Sequence, residues 1–280
     1  MRGTMKKGKL FIVPTPIGNL GDMTFRSVET LKKVAIIGAE DTRTSAPLLK
    51  HFAISAPMFS YHKFNERSRV EKVLEHLKNG EDVAIISDAG TPGISDPAAI
   101  LVQAVLQADF VVETLPGASA LLPALVSSGL NCDRFFFAGF LPEKESEREK
   151  LLSNIGNLPD SLVFYEAPHR IFKTCQILLE SLGNRRVVLA REISKLHETF
   201  YRSSLKEILL QPEMIMLKGE FVIILEGAAE KEYSDQEIIE LLKKALSEGK
   251  TKKTAAGMLA REIGVNKNRI YDLALKLENN

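Results

Sequence analysis

Apolar and polar positions follow two periods over the first 115 residues of the chain. Short apolar runs at residues 10–13, 34–38, 83–86 and 110–112, with a weaker one at 58–61, predict buried strands. Between them, apolar positions recur at helical spacing over residues 24–33, 45–52, 67–79 and 97–107, and again over 118–128. Strands alternating with helices predict an α/β fold, a mostly parallel sheet covered by helices on both faces.

From Phe135 onward the strand-like runs draw closer together, at residues 135–138, 161–165, 186–190, 199–203 and 221–225. Two helical stretches intervene, 144–155 and 170–182, so this part reads as α+β with antiparallel pairs. The charged run at 143–150 fits a solvated helix laced by i,i+4 pairs. A boundary is expected near residues 130–134, dividing a domain over 1–130 from one over 131–229. A polar linker then leads into a helical tail, 230–280. There an amphipathic helix over 237–247 precedes two short helices joined at Gly264, the second opening at Asn266. That spacing reads as a helix-turn-helix. From Lys243 to the end, nine Lys/Arg face four Asp/Glu. This balance fits nucleic-acid contact, or an appendage packed on its own chain or a dimer mate.

Composition narrows the classes. The 280 residues suffice for one large or two ordinary domains, with apolar (45%) and charged (26%) fractions of a soluble globular protein. No apolar run approaches a bilayer-spanning length, and the basic residues 1–9 lead into a short strand rather than a signal-peptide core. Cys132 and Cys175 make neither a disulfide framework nor a metal-ligand cluster, so a cytoplasmic protein with reduced thiols and no metal is expected. With a net charge of +1, a nucleic-acid partner has to be recognised through local patches.

The richest chemistry lies at residues 87–97, Ser-Asp-Ala-Gly-Thr-Pro-Gly-Ile-Ser-Asp-Pro. Small residues after a strand leave backbone exposed at the carboxyl end of a sheet, where open α/β sheets bind ligands. Ser95 or Asp96 also fits a cap for the following helix. Loops 14–22 and 115–120 follow strands in the same way, and the three would converge on one cleft. The first is neither G-x-G-x-x-G nor a P-loop, which disfavours a nucleoside triphosphate, and its Asp22 suits the cap of the next helix.

Taken together, VPTPIGNLGD, EDTRTS, SDAGTPGISDP, LPGASA, FYEAPHRI, AREISKLHE and KGEF resemble the tetrapyrrole methylase-like superfamily. More narrowly, they resemble its small-subunit ribosomal RNA 2′-O-ribose methyltransferase I branch. The resemblance implies two α/β domains with S-adenosyl-L-methionine folded in the cleft between them, leaving S-adenosyl-L-homocysteine as product. It implies a homodimer acting on a cytidine of 16S ribosomal RNA in the small subunit near the decoding centre. Pro16 would flank the cofactor, and Ala89, Gly90, Thr91 and Ile94 would lie along its methionine moiety, followed by Ser119 and Ala120. Tyr165, Glu166, Ala190 and Arg191 would meet the nucleoside, and Gly219 and Glu220 would close the adenine pocket. Asp88 and Asp96 would organise loop and cofactor rather than act as an acid–base pair.

A ribose hydroxyl is a poor nucleophile and gains from a base or a cation near the developing alkoxide. Asp41, Arg43 and His62, after the second and third strands, are the expected catalytic groups. Asp41 and Arg43 equally fit an ion pair or helix cap, and His62 a structural histidine. His169, Arg170, Arg191, Lys195 and His197 could hold phosphates while Phe64 or Tyr201 stacks on a base, or could serve as caps and surface pairs. Two other readings compete: methylation of a small corrin or porphyrin, and a non-enzymatic nucleic-acid-binding protein built around the tail.

Overall fold

The computed structural model describes residues 7–229 and 233–277. The basic residues 1–6 and the linker residues 230–232 fall outside that range. The chain forms two compact units, Met1–Ala228 and Ala229–Asn280.

The first unit opens with β1 (Lys9–Val13), α1 (Phe25–Lys33), β2 (Ile36–Ala39), α2 (Thr42–His51), β3 (Met58–Ser60), α3 (Glu66–Lys78), β4 (Val83–Ile86), α4 (Ala99–Gln107), β5 (Val111–Thr114) and α5 (Leu121–Ser128). The strands form one parallel sheet in the order β3-β2-β4-β1-β5. Alternate residues of β4 enter different cores, Val83 and Ile85 one, Ala84 and Ile86 the other, all essentially inaccessible. A strand buried on both faces is what a parallel sheet with both sides covered requires. β1 and β4 are neighbours, yet the chain leaves β1 for β2 on one side and β4 for β5 on the other. The crevice at their carboxyl ends is the topological switch point.

Next come β6 (Phe135–Phe140), α6 (Glu145–Ile155), β7 (Ser161–Glu166), α7 (Ile171–Leu182), β8 (Arg186–Arg191), β9 (Thr199–Ser204), α8 (Leu205–Leu210) and β10 (Phe221–Leu225). They build a mixed sheet, β6-β7-β10-β8-β9, in which only β6 and β7 run parallel. Sequence periodicity does not reveal α8, a six-residue helix; a capping box of Ser204 and Glu207 starts it. One face of this sheet packs on α6, α7 and α8. The other face, through Val163, Val188 and Val222, shares a core with Ile17 of the β1 loop and Ala124 and Leu125 of α5. That shared core holds the two sheets together as one unit.

The second unit contains α9 (Asp235–Ser247), α10 (Lys252–Ile263) and α11 (Lys267–Lys276) around a core that includes Ile238, Leu242, Leu259 and Ile270. Gly264 ends α10 at φ +70°, and the Asn266 side chain caps α11 by accepting the Asn268 N–H. No described helix is long and apolar enough to cross a membrane.

Two caps differ from the expected ones. Thr24, not Asp22, caps α1, because its hydroxyl accepts the Ser27 N–H. Neither Ser95 nor Asp96 caps α4, whose N-cap position is Ala98. Both carboxylates are thereby left for tertiary contacts.

Candidate functional site

Three loops are tied together at the switch point. Thr15 exchanges both main-chain hydrogen bonds with Gly90, each 2.9 Å. The Thr15 hydroxyl donates to the Ser87 carbonyl at 2.9 Å, and the Ser87 hydroxyl to the Gly90 carbonyl at 3.0 Å. Thr91 reaches the third loop, its hydroxyl donating to the Ala118 carbonyl at 3.2 Å. Gly117 lets that loop close on β1: a Cβ there would stand 2.6 Å from Pro14 Cβ.

These loops and the second sheet enclose a cavity of about 490 Å³. Asp88, Ala89, Gly90, Thr91 and Ile94 line one wall, with Ser119 and Ala120 beside them. Tyr165, Glu166 and Glu220 line the other, so the expected cofactor loops do meet. A β-bulge in β6 between Phe137 and Gly139 carries the strand toward this cavity. Gly139 (φ +66°) would bring a Cβ to 3.5 Å from Ser95 Oγ, and Phe140 joins the lining.

Other expected residues stand behind the wall. Ala190 is buried in the shared core. Arg191 is buried and donates to the carbonyls of Lys218 (2.7 Å) and His197 (3.2 Å), which fastens two loops. Gly219 has φ +84°, and a Cβ there would collide with the Glu192 carboxylate at 2.1 Å. Pro16 lies between the bridging Thr15 and the lining Ile17.

Asp41, Arg43 and His62 likewise do not line the cavity. Asp41 is the N-cap of α2, accepting the Arg43 N–H at 2.8 Å and pairing with its guanidinium at 2.8 Å. The Arg43 donors hold the Asp41 carboxyl at about 2. His62 faces Glu40, with its Nε2 3.2 Å from the Asn65 amide nitrogen and its inaccessible Nδ1 without a hydrogen-bond partner.

Charge in the cavity is carried by acids. Its lining contains no Lys, Arg or His. The pairing of Ala39 with Ile86 sets Glu40, just past β2, beside the start of the β4 loop. Glu40, Asp88 and Asp96 all line the cavity. The Asp41 main-chain N–H donates to Asp88 Oδ1 at 3.1 Å, and the Asp88 main-chain N–H faces the Glu40 carboxylate. Asp96 has no hydrogen bond and no ion pair among the described residues. Burial, with Glu40 and Asp88 adding to it, pushes its carboxyl up to about 7. Burial likewise raises Glu40. The Glu166 carboxylate is occupied by Thr174 (2.6 Å), the Ala167 N–H (2.9 Å) and Arg170 (3.2 Å).

Sequence reasoning chose Asp41 and Arg43 from the candidate run 40–43 rather than Glu40, and did not single out Phe140, Ile193, Phe221 or Val222, all part of the lining with Glu40. Glu40 carried a usable signal: it is the first polar residue after an apolar strand of the same sheet. The apolar ones carried none, since they read as ordinary strand core.

The family described as Tetrapyrrole (Corrin/Porphyrin) Methylases matches residues 9–209. A Synechocystis protein named "Ribosomal RNA small subunit methyltransferase I" is 42% identical over 275 residues, 97% of this chain and 99% of its own length. The Bacillus subtilis protein of the same name is 39% identical, covering 96% of this chain and 95% of its own. Among solved structures, the methyltransferase CobJ superposes with a TM-score of 0.60 at 22% identity, over 81% of this chain and 97% of its own. Uroporphyrin-III-C-methyltransferase from Thermus thermophilus gives 0.56 at 15% identity, over 79% of this chain and 94% of its own.

Proposed function

Because this chain belongs to the tetrapyrrole methylase family, and within it to the ribosomal RNA small subunit methyltransferase I group, we propose that it methylates small-subunit ribosomal RNA with S-adenosyl-L-methionine. The observation that carries the RNA reading is coverage. The rRNA methyltransferases match 97% and 96% of the chain at 42% and 39% identity, whereas uroporphyrin-III-C-methyltransferase and CobJ superpose on 79% and 81% of it at 15% and 22% identity and share the fold alone.

The cavity suits this cofactor on charge and size. S-adenosyl-L-methionine supplies a methyl group on a cationic sulfonium, and an acid-lined pocket without basic side chains attracts a cation. Its volume falls within the range of small-ligand sites, about 300–1,000 Å³. Ala89, Gly90, Thr91, Ile94, Ser119 and Ala120 would hold one side of the cofactor, and Tyr165, Glu166 and Glu220 the other. Pro16, Ala190, Arg191 and Gly219 would act from behind, by fixing the loops that carry the lining. Orientation of this kind can supply roughly 7–11 kcal/mol of the barrier. Asp41, Arg43 and His62 would set the position of Glu40 and the cavity rim.

The acceptor in this reading is the 2′-hydroxyl of a cytidine near the decoding centre. The exposed Phe64 stands beside His62, ring centroids 6.1 Å apart, and offers a face on which a base could stack. Exposed Lys253, Arg261 and Lys267 of the helical unit would contact RNA phosphates. Leu122 and Val126, one turn apart on α5 and 53% and 70% exposed, give a homodimer an apolar face to cover. The setting would be the cytoplasm, where ribosomes assemble.

The test is transfer of a labelled methyl group to naked rRNA, free small subunits, complete ribosomes, and a porphyrin or corrin. The expected result is label in small-subunit rRNA at one nucleotide, resistant to alkaline cleavage at its 3′ side. Label in the tetrapyrrole alone would overturn the RNA reading.

A further inference from the structure

The turn after β3 presents an aromatic ring to water from a fixed backbone. Phe64 is 95% exposed. Around it the His62 N–H donates to Asn65 Oδ1 (2.8 Å), and the Asn65 side-chain amide donates to the Ser60 carbonyl (3.1 Å). The His62 carbonyl accepts the N–H groups of Asn65 (2.9 Å) and Glu66 (3.0 Å). A ring carried on so braced a turn leaves little backbone freedom to be lost when something covers it. Register brings this turn to the cavity. Ser60 pairs with Ala39, and the Tyr61 N–H donates to the Ala39 carbonyl at 2.8 Å, so His62 falls beside the cavity-lining Glu40.

Charge on the same turn is one-sided. Residues 62–69 carry three cations, Lys63, Arg67 and Arg69, against one carboxylate. That carboxylate, Glu66, is buried and accepts the Tyr61 hydroxyl, so the outward charge is positive. The side chains of Lys63, Arg67 and Arg69 make no hydrogen bond or ion pair among the described residues. Every other described arginine except Arg261 is engaged by a carboxylate or a carbonyl. Phe25 is nearly as exposed as Phe64, but the neighbouring Arg26 is tied to Glu113. An exposed ring beside open cations is therefore particular to the β3 turn.

Resting on the methyl-transfer reading above, we propose that this turn receives the RNA as an unpaired strand: a base stacks on Phe64 while Lys63 and Arg67 hold the phosphates next to it. Inside a helix both faces of a base are covered by its neighbours, so a protein ring can take a base only where the strand is unstacked. A duplex is instead gripped through phosphates and ribose hydroxyls, for which a projecting ring has no use. A ring flanked by cations is the pattern of single-strand sites. No other large apolar residue of residues 61–72 is exposed, so a protein partner would find little here to bury.

The chain contains no tryptophan, so Phe64→Trp in the full-length protein supplies a single fluorescent reporter at the tip of the turn. An oligocytidylate of about eight nucleotides and a blunt RNA duplex are the probes. The strand should quench the emission and bind about tenfold or more tighter than the duplex. Phe64→Ala should weaken strand binding about 5–100-fold, the scale of one lost stacked base, and Phe64→Tyr should restore it to within about twofold. Lys63→Gln combined with Arg67→Gln should lower the slope of log affinity against log salt by about 1.4. These variants should bind S-adenosyl-L-methionine and melt as the unaltered protein does. Equal affinity for strand and duplex would overturn the proposal, as would emission that responds to neither. Emission that responds to small subunits but to no RNA alone would make the partner a ribosomal protein, and emission that shifts with protein concentration alone would make it a second copy of this chain; either result ends the proposal. Quenching by the strand in a protein that transfers no methyl group to RNA would place the failure in the methyl-transfer reading instead.

Discussion

The Asp41 main-chain N–H donates to the Asp88 carboxylate across 47 positions of sequence, joining the end of β2 to the loop after β4. This one bond sets the spacing of the acidic side of the cavity. Through it the Asp88 backbone is presented to Glu40. Asp88→Ala should therefore weaken S-adenosyl-L-methionine binding about tenfold, the scale of a lost charged hydrogen bond of about 1.5 kcal/mol. Asp88→Asn keeps an acceptor at the same place and should lose less. Calorimetry on the two variants separates the bond from the charge; equal losses would assign the effect to charge.

Gly90 is held by conformation more than by space. Its φ is +83°, and a Cβ would meet Ile17 Cγ2 at an ordinary 3.6 Å. Both of its main-chain groups are engaged by Thr15, so this residue of the cavity lining also braces the loop. Gly90→Val should cost stability first, about 1–2 kcal/mol for a left-handed residue with a side chain. It should lower the melting temperature by about 2–8 °C, since 1 kcal/mol shifts a protein of this size by about 2–4 °C. Weaker cofactor binding should accompany it. Full binding with an unchanged melting curve would show that the bridge to Thr15 does not brace the cavity.

The contrast between Gly90 and Asp96 shows what the sequence could reveal. Strand and helix placement was legible because it is written locally, in the apolar run at residues 83–86 and in the pair Gly264 and Asn266 that ends α10 and starts α11. The convergence of three loops was legible because each follows a strand of one sheet. The inequality of Glu40, Asp88 and Asp96 was not. It depends on which main-chain N–H groups reach which carboxylate, and those bonds span two strand ends. Local cues also misled at Asp22 and Asp96, which fit cap positions by type: Asp22 instead accepts the Ser194 hydroxyl, and Asp96 lines the cavity.

Asp22 accepts the Ser194 hydroxyl, and Lys195 lies over Gly18 with its ammonium paired to Glu192 (2.8 Å) and Glu220 (2.9 Å). Glu192 and Ser194 both have positive φ, so this strap holds its shape against local preference. Gly18→Ala would place a Cβ 2.5 Å from Lys195 Cγ and should displace the strap. Hydrogen exchange should then rise over residues 192–198 and over 18–22 together. Faster exchange confined to residue 18 and its neighbours would show that the two loops are not coupled.

Arg43→Ala should destabilise the protein slightly, in a pH-dependent way. Asp41 titrates at about 2 when folded, below its ordinary 3.8, so its pairing stabilises the fold above about 3.8. That contribution is lost as pH falls through about 2. The variant's deficit in melting temperature should therefore be present at neutral pH and shrink between pH 4 and 2. Arg43 is exposed and Asp41 only partly buried, which keeps the effect small. A deficit independent of pH would place the cost elsewhere in α2.

Deletion of residues 230–280 should separate cofactor binding from RNA recognition. The helical unit has its own core in Ile238, Leu242, Leu259 and Ile270, and every residue lining the cavity lies in the first unit. The shortened protein should bind S-adenosyl-L-methionine as the whole chain does. Its KM for small subunits should rise, because exposed Lys253, Arg261 and Lys267 are lost and each phosphate contact carries a share of salt-dependent affinity. Removing three contacts should lower the slope of log affinity against log salt by roughly 2–3. Substituting the three residues by Gln in the full chain should give the same change of slope without removing a helix. If the slope is unchanged in both proteins, the tail does not hold RNA, and its basic surplus serves another purpose.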